Sequence, residues 1–151
     1  MRLENKQRLP FYKMHGGGND FVLIDHRDRF IPEAEQPQFA RRVCVRKIGV
    51  GADGLILIED SQAADFKWRF YNADGSEPEM CGNGGRCAAR FAVLHGIAPE
   101  TLSFETLAGI IHAEVSGRRV KITLTGVGDF NLHTSIPLEA KTLVGRASRA
   151  R

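Results

Sequence analysis

The chain has 151 residues, of which 42% are hydrophobic and 26% are charged, and its formal net charge is +3 at pH 7. This composition is typical of a soluble globular protein and excludes a disordered chain. The charge is too small to indicate nucleic-acid binding, and no apolar run is long enough to cross a membrane. The charged first residues do not resemble a secretory signal, and three cysteines, an odd number, argue against a disulfide framework. We therefore expect a cytoplasmic protein.

The first predicted elements are short strands separated by a glycine-rich break. Residues 11–14 are predicted to form a strand, residues 15–20 to interrupt it, and residues 21–24 to resume it. Apolar residues at helical spacing predict a helix from about residue 36 to residue 46.

A second glycine-rich break, at residues 49–54, leads into the apolar run 55–58. The strand that follows is expected to have one apolar face, because Phe66, Trp68 and Phe70 alternate with polar residues.

The helix predicted from Gly82 to about residue 95 is apolar around nearly its whole circumference, so it should lie in the interior. Gly96 stands where a C-terminal cap is expected. Three strands are predicted after it, at residues 102–106, 110–115 and 119–125. Mostly antiparallel strands with one central helix indicate an α+β fold rather than repeated parallel βαβ units.

Cys81 is the candidate reactive residue, because it directly precedes the segment Gly82-Asn83-Gly84-Gly85 at the start of the central helix. The first N–H groups of a helix have no partner within it and carry partial positive charge, which favours a thiolate and can hold an anion. These residues form helices poorly, which would be costly if they served packing alone. A buried structural cysteine is the alternative, and we prefer it for Cys44 and Cys87, which lie on apolar helix faces.

Other chemistries are less well supported by the sequence. The cysteine spacing is not that of a structural zinc site, and the glycine-rich segments lack the features of a P-loop or a dinucleotide fingerprint. Asn19, Asp53 and Asn72 lie in or beside turns, where such residues are common for backbone reasons. They gain functional meaning only if they converge near Cys81.

Three blocks together resemble the diaminopimelate epimerase family: residues 14–21 (Met-His-Gly-Gly-Gly-Asn-Asp-Phe), residues 49–54 (Gly-Val-Gly-Ala-Asp-Gly) and residues 72–87 around Cys81. The resemblance covers about residues 11–125, the first half of the family's chain. It implies one of two pseudo-symmetric lobes, each a mostly antiparallel barrel-like sheet around a central helix, as in proline racemase and the phenazine-pathway isomerases. Residues 1–124 would form this N-terminal lobe. Residues 125–151 would begin the second lobe or form a disordered or truncated tail.

The resemblance also implies an activity, the epimerisation of LL-diaminopimelate to meso-diaminopimelate for lysine and peptidoglycan synthesis. This isomerase uses no pyridoxal or other cofactor and no metal, and two cysteines serve as its acid and base. Cys81 matches the first of these cysteines. Gly82 and Asn83 would bind the substrate through backbone N–H groups, and Asn19 and Asn72 would bind it through their side chains.

The chain departs from the family in ways that limit this expectation. No cysteine follows Cys87, and Gly54 stands where some relatives have glutamine. We therefore expect little or no activity from this chain alone, with a small-molecule substrate, no nucleic-acid or membrane partner, and a homodimer left open. One alternative is a non-catalytic anion-binding or interaction module of the same fold. Another is a related amino-acid racemase or isomerase with a different substrate.

Overall fold

The computed structural model describes residues 8–124 and 126, together with two strands at residues 133–137 and 142–146. Seven strands form one sheet in the order in which they occur along the chain. The elements are β1 (Tyr12–Gly16), β2 (Asn19–Asp25), a 3-10 helix (Glu33–Glu35), α1 (Gln36–Cys44), β3 (Gly54–Glu59), β4 (Phe66–Asn72), α2 (Gly82–Leu94), β5 (Thr101–Thr106), β6 (Gly109–Ser116) and β7 (Arg119–Thr123).

The sheet is mixed and curls around helix α2. Strands β2 and β3 are parallel, as are β4 and β5, and the other neighbouring pairs of this sheet are antiparallel. Each parallel pair needs a crossover connection, which α1 supplies for the first pair and α2 for the second. Because α2 contacts both edge strands, β1 and β7, the sheet forms a partial barrel around it. This confirms the predicted α+β fold with a mostly antiparallel, barrel-like sheet around a central helix.

The two faces of the sheet carry separate apolar clusters, because successive strand residues point to opposite faces. The inner face packs against α2 and contains, among others, Phe21, Ile56, Trp68, Phe70 and Phe104. The outer face packs against α1 and contains Val22, Ile24, Leu55, Leu57 and Tyr71. Strand β3 is buried on both faces, which explains why its sequence is apolar without alternation.

The first hairpin is tighter than the sequence predicts. We expected residues 15–20 to interrupt the strands, but β1 continues to Gly16 and β2 begins at Asn19. Only Gly17 and Gly18 form the turn, with positive φ angles of 65° and 88°. Two consecutive glycines adopt this left-handed pair without steric cost, so the strands pair up to the turn.

Helix α1 begins as predicted but ends at Cys44 rather than at residue 46. The backbone carbonyls of Val43 and Cys44 accept hydrogen bonds from the N–H groups of Gly51 and Ala52, at 3.0 and 3.1 Å. These bonds replace the next helical turn, so the glycine-rich segment itself stops the helix.

Beyond β7, the structure describes two further strands, β8 (His133–Pro137) and β9 (Thr142–Arg146), which pair with each other antiparallel in a separate sheet. The sequence did not predict them. The predicted end of the last strand at residue 125 lies outside the described residues, and β7 ends at Thr123. The division into 1–124 and 125–151 remains a prediction.

Gly54 offers a direct test of the packing at the start of β3. A Cβ atom there would lie 2.7 Å from Cε2 of Phe70 and 2.8 Å from the carbonyl oxygen of Tyr71. Because such contacts force side chain or backbone to move, we expect Gly54→Ala to lower the free energy of unfolding by about 1–3 kcal/mol, measured by urea denaturation. Gly126→Ala is the control, since nothing lies within 4 Å of that position. Equal stability of the two variants would refute this account.

Candidate active site

The candidate site lies at one end of the curled sheet, where segments distant in sequence meet. In the sheet, Phe21 of β2 is paired with Gly54 of β3, and Gly54 is paired with Asn72 of β4. The residues just before Phe21 and Gly54 therefore lie side by side. The first turn of α2 packs over the same end, since a Cβ on Gly84 would lie 3.5 Å from Cε1 of Phe21.

Helix α2 begins with an uncapped first turn. Cys81 is its N-cap residue, in an extended conformation with φ −140° and ψ 114°. The first helical bond runs from the N–H of Gly85 to the carbonyl of Cys81, at 2.8 Å. The N–H groups of Gly82, Asn83 and Gly84 precede that bond, and no side chain of the described residues caps them. Donors of this kind at a helix start can hold an anion.

The Cys81 thiol converges with two asparagine side chains at this helix start. Its Sγ atom lies 3.6 Å from Oδ1 of Asn19, to which it donates a hydrogen bond. The Nδ2 group of Asn83 donates to the same oxygen at 3.3 Å. Cys81 is half-buried, so a ligand can reach it. The structure thus brings together Cys81, Gly82, Asn83 and Asn19, four of the five residues that the sequence nominated.

Asn72, the fifth, lies at the same end of the sheet but has other hydrogen-bond partners. Its Nδ2 group donates to Oγ of Ser76 at 3.0 Å, and its backbone N–H donates to the carbonyl of Ser76 at 2.8 Å. Among the described residues, these bonds place the Asn72 side chain in the turn after β4 rather than in the group around Cys81. A contact between Asn72 and a substrate remains a prediction.

A charged network that the sequence did not reveal supports this group. Asp53 accepts from Nδ2 of Asn19 at 2.7 Å. Nη2 of Arg46 lies 2.7 Å from Oδ1 of Asp20 and 2.9 Å from Oδ1 of Asp53, and Lys13 lies 3.0 Å from Asp20. The hydrogen bond from Arg46 holds the pKa of Asp20 well below its usual range, and the Asn19 amide is the main cause of the lowered pKa of Asp53. Both carboxylates are therefore ionised at neutral pH.

The other two cysteines are core residues, as predicted. Cys44 and Cys87 are both 3% exposed. Burial raises the pKa of each thiol to about 11, so both stay protonated at neutral pH. Cys81 is the accessible thiol among the three.

The described residues contain no group of three or more His, Cys, Asp or Glu side chains placed to hold a metal ion. None of their helices has the length and apolar character to span a membrane.

The fold is shared with amino-acid racemases and epimerases. The structure aligns with a probable proline racemase from Agrobacterium radiobacter with a TM-score of 0.69 at 14% identity, covering 87% of this chain and 46% of that one. It aligns with a hydroxyproline epimerase from Agrobacterium vitis with a TM-score of 0.66 at 15% identity, covering 89% and 46%. Identities this low show a common fold and nothing about the substrate.

Sequence comparison identifies the family. The family model described as diaminopimelate epimerase matches residues 11–130. The diaminopimelate epimerase of Aquifex aeolicus is 54% identical over 127 residues, covering 78% of this chain and 46% of that protein. That of Archaeoglobus fulgidus is 55% identical over 109 residues, covering 72% and 39%. The chain belongs to the diaminopimelate epimerase family, and it spans about half the length of these relatives or less.

Proposed function

We propose that this chain supplies one half of the active-site cleft of a cytoplasmic, cofactor-independent diaminopimelate epimerase, with Cys81 as one of two acid/base residues. The observation that carries the proposal is the half-buried Cys81 thiol at the uncapped start of α2. Membership of the family supports the choice of substrate.

The arrangement suits proton transfer at the α-carbon of an amino acid. Inversion requires that a proton be removed from one face of that carbon and another be delivered to the opposite face. Cys81 would serve one face, as a thiolate that takes the proton or as a thiol that gives one. The α-carboxylate would bind the N–H groups of Gly82 and Asn83, beside the sulfur.

The same N–H groups would assist the chemistry as well as the binding. When the α-proton leaves, negative charge spreads from the carbon into the carboxylate. Donors already directed at that carboxylate, together with the partial positive charge of the helix start, stabilise the developing charge without rearrangement. Asn19 and Asn72 would complete the site as side-chain contacts to the substrate.

The opposite face of the α-carbon needs a second acid/base group, which we assign to a second lobe outside this chain. No cysteine follows Cys87 in the sequence. With Cys81 as its accessible thiol and no second lobe over the site, the chain would exchange an α-proton on one face, but it would not invert the centre or exclude water from it.

This leads to a measurable expectation for the 151-residue chain. Incubated in D2O with LL- or meso-diaminopimelate, it should incorporate α-deuterium slowly and leave the isomer ratio unchanged, as followed by NMR and chiral chromatography. Robust interconversion would refute the half-site assignment. Failure to exchange any amino acid would favour the non-catalytic module, and exchange of proline or hydroxyproline alone would favour a racemase with another substrate.

A further inference from the structure

We infer that Asp53 and Arg86 are positioning residues that fix, from opposite ends, the orientation of two asparagine amides beside the Cys81 thiol. The two residues lie on different segments, and among the described residues the Cys81 thiol has its side-chain hydrogen bond with Asn19 rather than with either of them. The inference deepens the proposed function, on which it depends for the meaning of Cys81. The inference is based on a series of hydrogen bonds that runs from Arg86 through Asn83 and Asn19 to Asp53. The first of these groups can only donate hydrogen bonds, and the last can only accept them.

The accepting end is Asp53. Its ionised carboxylate accepts hydrogen bonds but cannot donate them. Oδ2 of Asp53 accepts hydrogen bonds from Nδ2 of Asn19 at 2.7 Å and from the backbone N–H of Asp20 at 3.1 Å. Oδ1 of Asp53 accepts one from Arg46 at 2.9 Å. The nitrogen of the Asn19 amide must therefore face Asp53. Its oxygen must face the opposite way, toward Cys81.

The donating end is Arg86, on α2. A guanidinium donates hydrogen bonds but cannot accept them. Nη2 of Arg86 bonds to Oδ1 of Asn83, three residues earlier on the same helix. The nitrogen of the Asn83 amide must then point away from Arg86, and it donates to Oδ1 of Asn19 at 3.3 Å. Both amide orientations follow from the chemistry of the two ends, because a reversed amide would set oxygen against the Asp53 carboxylate or N–H against the Arg86 guanidinium.

This orientation has consequences for the sulfur and for a ligand. The oxygen of Asn19 accepts a hydrogen bond from the Cys81 thiol at 3.6 Å, so this oxygen, and not the Asn19 N–H2 group, faces the sulfur. A thiolate would face the lone pairs of an oxygen instead of an N–H donor. Of the two hydrogens on Nδ2 of Asn19, one goes to Asp53. The other remains available as a donor among the described residues, which suits a carboxylate and not an ammonium group.

The two ends support each other, because the amides are bonded to one another. If Asp53 is lost, Arg86 still orients Asn83, which still orients Asn19. If Arg86 is lost, Asp53 still orients Asn19 directly. Loss of both ends leaves the amides able to rotate, so that an N–H of Asn19 can turn toward the Cys81 sulfur in place of the oxygen. The change in Cys81 reactivity when both residues are replaced should therefore exceed the sum of the changes caused by the two single replacements.

The test compares four forms of the full chain: native, Asp53→Asn, Arg86→Met and the double variant. The double variant removes one negative and one positive charge, so its net charge equals that of the native chain. Asp28→Asn, beyond the far end of β2, is the control for loss of a carboxylate. The rate of Cys81 alkylation by iodoacetamide is measured at one fixed pH by mass spectrometry, and the side-chain amide signals of Asn19 are followed by 15N NMR.

We expect each single variant to alkylate within about twofold of the native rate and the double variant about fivefold faster, since one hydrogen bond to the thiol is lost. The Asn19 amide signals should move in Asp53→Asn and move further in the double variant, and Asp28→Asn should change neither readout. A double variant with native alkylation and native amide signals overturns the inference. So does a single variant that equals the double variant.

Folding and function are kept separate in this design. Thermal unfolding of each variant shows that it is folded, and Asp53→Ser with Arg86→Gln provides a second pair for the same comparison. Neither readout uses diaminopimelate. The two proposals can therefore fail independently. If the protein does not exchange the α-hydrogen of diaminopimelate, the amide orientation can still be as expected. If it does exchange that hydrogen, the amide orientation can still be wrong.

Discussion

Replacement of Phe91 by alanine is expected to lower the free energy of unfolding by about 3–5 kcal/mol, the range seen for buried aromatic side chains. Phe91 is fully buried on α2 and belongs to the apolar cluster on the inner face of the sheet. Its ring lies 5.4 Å from that of Tyr12 on β1 and 4.1 Å from that of His95. The truncation would leave a cavity between the helix and the edge of the sheet. Such a loss is a large share of the stability of an ordinary domain.

Urea denaturation followed by circular dichroism measures this effect, and Leu94→Ala is the matched control. Leu94 lies on the same helix but is 62% exposed, so its truncation should change the free energy of unfolding by about 0.5 kcal/mol or less. If Phe91→Ala lowered the free energy of unfolding no more than Leu94→Ala does, the packing of the sheet around α2 would not be what stabilises the fold. The position of Cys81 at the start of that helix would then have no firm support.

Features that depend on local pattern could be predicted from the sequence. The interior position of α2 was correctly predicted from its apolar residues, because a helix that is apolar on nearly every side is stable only when it is buried. Gly96 follows α2 with a φ of +64°, the conformation that a C-terminal cap requires. The alternation of Phe66, Trp68 and Phe70 correctly gave one face of β4, since side chains in a strand alternate with period two.

Features that depend on pairing between distant strands could not be predicted in this way. Asp20 and Asp53 exchange hydrogen bonds, each backbone N–H donating to the other's carboxylate, at 3.1 and 3.0 Å. This requires β2 and β3 to be parallel and in one particular register, which neither segment encodes alone. The only local signal was an aspartate in each glycine-rich segment just before a buried run. Asn72 shows the opposite case, because its turn chemistry was evident in the sequence and its hydrogen bonds are those of a turn.

Replacement of Cys81 by serine should reduce α-hydrogen exchange with diaminopimelate by about 100-fold or more, the lower end of what a positioned acid/base group contributes. Serine is close to cysteine in size, but its hydroxyl is a far weaker acid than a thiol and does not supply the anion. Serine is also a favourable N-cap residue, so the start of α2 should be kept or strengthened. Exchange is measured in D2O by the loss of the α-hydrogen signal in the NMR spectrum of the substrate.

Cys87→Ser makes the same atomic change six residues along the chain, at a buried position. It should weaken folding, because a buried hydroxyl needs a hydrogen-bond partner, yet leave the exchange rate per folded molecule unchanged. The contrast separates chemistry from stability: one variant keeps the fold and loses exchange, while the other loses stability and keeps exchange. Persistent exchange in Cys81→Ser would show that the proton moves through another group, and the assignment of Cys81 as acid/base residue would be wrong.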